Sequence, residues 1–131
     1  MKPTLQLFEA ERFAPDDAAT VTLSNDADPR EVRLAGIRAV VLQFPRFTDG
    51  RAFSQAFLLR RRLGFTGDIR ATGDVLIDQL LQMQRSGFSQ AVLRHDQDLE
   101  HGRQLLAQYP AFYQGDAVQH QPPFAATLAP A

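Results

Sequence analysis

The chain has 131 residues, 44% hydrophobic and 22% charged, which suits one soluble domain built on a single core. Fourteen basic residues against fifteen acidic ones leave a formal charge of -1, so the basic excess of a general nucleic-acid binder is missing. Cysteine is absent, which excludes disulfides, thiolate metal sites and thiol nucleophiles; a redox role would need an organic cofactor or a partner.

The opening residues, MKPTLQLFEAERF, lack the apolar stretch of a signal peptide. No run approaches the roughly 20 apolar residues of a membrane span. A cytoplasmic protein without membrane contact is expected. Residues 1–19 read as an N-terminal arm with a short strand at TLQLF.

From residue 20 to 109, strands alternate with helices. The first strand is TVTLS (20–24). A helix over 29–35 follows it, with Asp28 as cap and Pro29 at the first helical position. The second strand, AVVLQF (39–44), is the clearest. A helix over 52–63 comes next, and Phe53, Ala56, Phe57, Leu59 and Leu63 form its expected apolar face. The third strand, DIRATG (68–73), has one large apolar residue, Ile69, and is assigned from its place in the alternation. A helix over 75–85 precedes the fourth strand, QAVLR (90–94). The last helix, 99–108, is stopped by Pro110.

Gly36-Ile37, Gly64-Phe65 and Gly87-Phe88 each close a helix, with Gly in the left-handed conformation and the apolar residue folded back on the last turn. Strands alternating with helices imply an α/β fold. Four βα units would form a small parallel sheet flanked by helices, either Rossmann-like or half of a (β/α)8 barrel. The single domain spans 20–115, and residues 116–131, rich in Ala and Pro, read as a flexible tail.

Ligands of parallel α/β folds bind at the carboxyl ends of the strands. The loops expected there are polar: SNDADP, PRFTDGR, RATGD and RHDQD. The opposite loops are plain. The candidates for anion binding or docking are Arg46, Phe47, Asp49, Arg51, Arg70, Asp74 and Arg94. Asp28, Asp49, Asp74 and Asp98 also suit helix capping, and the arginines also suit ion pairs with these carboxylates. His95 is the one histidine in these loops, a candidate acid or base. No metal-ligand spacing, nucleophile elbow, dinucleotide fingerprint or phosphate loop occurs, so no metal and no cofactor is assigned. Arg60, Arg61 and Arg62, near a helix end, suit either a solvated face or an acidic docking partner.

Residues 44–88 carry four linked motifs: FPRFTDGR, LLRRRLGFTG, RATGDVLIDQ and RSGF. In these the chain resembles a bacterial family, domain-of-unknown-function family 934, over about residues 20–113. The segment after Gly87-Phe88 reads SQAVLR, where the family pattern would give an Asp and an aromatic residue. The resemblance implies that Phe44, Pro45, Phe47, Asp49, Gly50, Arg51, Arg60, Arg62, Arg70, Gly73, Asp74, Asp78 and Gln79 are family positions. Asp78 and Gln79 would support the loop arginines from behind. It also implies a role beside an assimilatory sulfite reductase, whose sirohaem and iron–sulfur centre would supply the redox chemistry. Three readings are therefore carried forward: an accessory protein docking on sulfite reductase through its strand-to-helix loops, a small-anion-binding α/β enzyme with an Arg/Asp site at the carboxyl ends of the strands, and a homodimer completing a barrel.

Overall fold

The computed structural model of the chain describes residues 5–10, 18–46 and 48–108. Five strands form one sheet: β1 (Gln6–Glu9), β2 (Thr20–Leu23), β3 (Ala39–Phe44), β4 (Asp68–Gly73) and β5 (Gln90–Leu93). Every pairing is parallel, and the order across the sheet is β1-β5-β4-β3-β2. The fold is thus α/β. The strand foreseen inside the N-terminal arm is a full member of the sheet, paired with β5 from Gln6↔Gln90 to Glu9↔Leu93.

β2 to β5 step across the sheet in one direction. Right-handed crossovers then put every connecting helix on the same face. Three helices stand there: α1 (Arg51–Phe57), α2 (Leu80–Ser86) and α3 (Leu99–Gln108). The chain passes from β1 at one edge of the sheet to β2 at the other and then steps back strand by strand. The sheet is open, with β1 and β2 at its edges.

The core lies between sheet and helices. Val40, Leu42 and Phe44 from β3, Ile69 and Ala71 from β4, and Ala91 and Leu93 from β5 meet Ala52, Ala56 and Leu59 of α1, Leu80 and Met83 of α2, and Leu106 of α3. Phe44, Phe53 and Phe88 form a ring cluster with centroids 5.1 to 6.3 Å apart. Each such side chain stabilises the fold by about 1.5–3 kcal/mol. Ala39, Val41 and Val92 are also buried but lie outside this cluster, on the opposite face. Burial on both faces is what makes strands such as AVVLQF continuous apolar runs.

The Gly-Phe steps close as expected. Gly64 (φ 67°) and Gly87 (φ 113°) are left-handed, and the Phe65 and Phe88 amides donate back to the Leu59 and Met83 carbonyls.

Three helices differ from expectation. The first, expected over 29–35, is a single 3-10 turn, Pro29–Glu31; β-branched Val32 is already extended, and the chain returns directly to β3. The third starts late. Leu76 is extended, a 3-10 turn covers Ile77–Gln79, and α2 begins at Leu80. The second is helical over its length, but its last turn, Leu58–Arg62, is π-helical. Its inward row keeps the i, i+3, i+4, i+7 spacing of an ordinary α-helix. Ala52, Gln55, Ala56 and Leu59 face the core, whereas Phe57 and Leu63, expected inward, are exposed.

Candidate functional site

The carboxyl edge of the sheet carries two groups of charged side chains. The first joins the loops after β2 and β3. Asp49 caps α1 by accepting from the Arg51 amide at 3.0 Å, pairs with Arg51 Nε at 3.4 Å, and accepts from the Asn25 side-chain amide. Ser24 donates to Asp26 at 2.5 Å, which lowers the Asp26 carboxyl below its usual range. Asp28 caps the 3-10 turn and pairs with Arg30 at 2.9 Å; Arg30 lowers its carboxyl in turn.

Gln55 locks this group from beneath. It is buried in α1, and its amide nitrogen donates to the Ser24 and Ala27 carbonyls, each at 2.9 Å. Among the described residues its carbonyl oxygen is buried without a hydrogen-bond partner. Sequence reasoning passed over Gln55. The signal was its spacing: it sits between Ala52 and Ala56 in the inward row.

The second group joins the loops after β4 and β5. Arg94 is held between two carboxylates, with Nη1 to Asp74 at 2.8 Å and a two-pronged grip on Asp96 at 2.7 and 2.8 Å. This pulls the Asp96 carboxyl down to about 2, chiefly through the Arg94 hydrogen bonds, and pushes Arg94 upward. The backbone reinforces the tie. The Arg94 amide donates to the Val75 carbonyl, and Ile77 donates to Gln97 Oε1 at 2.9 Å. A cleft lined by Glu9, Leu93, Arg94, His95 and Gln97 lies beside it, about 20 Å3 in volume, room for one water molecule.

The other candidates are dispersed. Arg70 lies in the middle of β4, paired across the sheet with Gln90, and its Nε donates to Gln90 Oε1 at 3.0 Å. It is therefore not a loop residue. Arg46 is exposed, and its carbonyl accepts from the Asp49 amide. Asp78 is exposed, and Gln79 turns back to accept from the Leu76 amide at 3.3 Å. Phe47 lies outside the described residues, as do the tail and His120. β3 and β5 are two strand spacings apart, about 10 Å, so Arg51 and Arg94 sit in separate groups.

At the amino edge, the π-turn carries three consecutive arginines. Arg60 turns inward. Its Nε donates to the Gly87 carbonyl at 2.8 Å, and its Nη1 to the Phe65 and Gly67 carbonyls at 2.9 and 2.6 Å. Burial lowers its pKa. Arg61 and Arg62 turn outward, and the Arg61 guanidinium lies 5.3 Å from the Phe57 ring centroid. Spacing distinguishes the three: Arg60 stands four residues beyond inward-facing Ala56, whereas Arg61 and Arg62 do not.

Among the described residues, no group of His, Cys, Asp and Glu could hold a metal ion, and no helix is long and apolar enough to cross a membrane. Residues 20–124 match the model of a family described as a bacterial protein of unknown function, DUF934. No curated protein and no solved structure matches the chain. The chain belongs to the DUF934 family.

Proposed function

We propose that this family member is a docking protein without redox chemistry of its own, and that its partner is an assimilatory sulfite reductase. One observation carries the docking half. The two charged groups of the carboxyl edge are each engaged internally, Arg94 by Asp74 and Asp96, and Asp49 by Asn25 and Arg51. An anion would have to break charge-assisted pairs, each contributing more than a neutral hydrogen bond. The small-anion enzyme reading therefore has less support. The family resemblance supplies the partner, and the absence of cysteine is consistent with a redox centre held elsewhere.

The test mixes purified full-length chain with purified sulfite reductase in a sedimentation-velocity experiment. A shared boundary with Kd of about 10 μM or tighter, near -7 kcal/mol, is expected. Independent sedimentation at ten times that concentration would refute the partner.

A further inference from the structure

We infer that the outer face of α1 and its π-turn is the docking surface, and that it takes a protein surface bearing carboxylates around a shallow apolar patch. This rests on the docking reading and gives it a face and a chemistry. Phe57 and Leu63, 43% and 37% exposed, are the large hydrophobic side chains the fold leaves open to solvent among the described residues. Phe57 is the last residue of α1, and Leu63 caps the π-turn that follows it. Between them the helix ends in a π-turn, a rare geometry that often marks functional positions.

The charges beside them differ from those of the carboxyl edge. Arg30, Arg51 and Arg94 each face a carboxylate within 4 Å. Among the described residues, Arg61 and Arg62 do not. Among the described residues no carboxylate neutralises this basic pair, on a chain of net charge -1. Arg61 over the exposed Phe57 ring, with Arg62 next to Leu63 in the chain, matches a partner with the reverse pattern, carboxylates around an apolar centre. A second copy in an isologous pair would set Arg61 and Arg62 near their own images. A nucleic acid would want a bare ring for stacking, whereas the Phe57 face is covered by Arg61.

The experiment replaces Phe57 with p-benzoylphenylalanine in the full-length chain and irradiates cells of the native host. A parallel strain carries the same photoreactive residue at Arg46. The expected result is a protein adduct at position 57, mapped to a partner peptide rich in Asp and Glu. Its yield should fall about tenfold in R61E/R62E, a change worth about 1.4 kcal/mol, while that variant keeps the wild-type melting temperature within a few degrees. If the adduct is sulfite reductase, both readings stand. If it is another protein with such a surface, the face stands and the reductase falls. Adducts at position 46 alone leave docking standing and remove this face. Adducts with nucleic acid or a second copy, or protein adducts unchanged in R61E/R62E, overturn the face. No adduct at either position overturns both.

Discussion

Replacing Arg60 by Ala tests the reading that one buried guanidinium ties three segments at the amino edge. Its three hydrogen bonds reach the carbonyls of Phe65, Gly67 and Gly87, so the end of α1 is fixed to the entry of β4 and the end of α2. A hydrogen bond to a charged group contributes about 1.5–3 kcal/mol. Three bonds from one group do not add, and desolvation of Arg60 offsets part of them. The net loss in R60A should be about 3 kcal/mol. At about 2.1 cal/mol/K per residue, a chain of 131 residues has an unfolding entropy near 0.27 kcal/mol/K. The melting temperature should therefore drop by about 10 °C, read by circular dichroism. Met at position 60 keeps the stem and removes the donors, so R60M should lose about as much. A drop below about 3 °C in R60A, or wild-type stability in R60M, would refute the clamp.

A Cβ at Gly67 would overlap the Arg38 carbonyl oxygen and the Phe65 ring, so G67A should cost over about 3 kcal/mol, seen as insoluble expression or a lost urea transition. Gln55→Glu aims a carboxylate at the Ser24 and Ala27 carbonyls, raising its folded pKa above the unfolded value near 4.3. Q55E should match the wild type near pH 4 and weaken as pH rises past that value; equal stability at pH 7 would contradict the orientation given to Gln55. Asp96, held at about 2 when folded against about 3.9 unfolded, stabilises the chain above pH 4 and loses that contribution as pH falls towards 2. D96N should therefore flatten the acid limb of the stability profile between pH 4 and 2, and an unchanged limb would remove the Arg94–Asp96 pair from the account.

Much of the sheet was legible because burial on both faces writes itself into composition. AVVLQF became β3 residue for residue. DIRATG became β4 although Ile69 is its one large apolar side chain, because the alternation left it no other role. The Gly-Phe closures were legible because few residues other than Gly adopt positive φ cheaply. Helix phase was not. The apolar residues of the segment suggested one face, yet the inward row is Ala52, Gln55, Ala56 and Leu59, which Arg60 joins and Phe57 does not. The polar bias of the carboxyl-end loops was also visible, but their pairing was not, since Arg94 chooses Asp74 across a strand as readily as Asp96 two residues away.

The pairing of β1 with β5 has a consequence for how the chain reaches its fold. β2 to β5 can assemble as successive neighbouring units, each closing a short loop. β1 belongs to none of them: the Leu5 amide is bonded to Gln84, 79 residues away, and the strand lies along the last one made. That closure is entropically slow and late, and it raises the contact order of an otherwise local topology. During synthesis, β5 therefore emerges with a bare edge, a template for another chain until β1 returns to it. A nascent chain with a weakened β1 should aggregate through β5 even where its finished fold is nearly as stable.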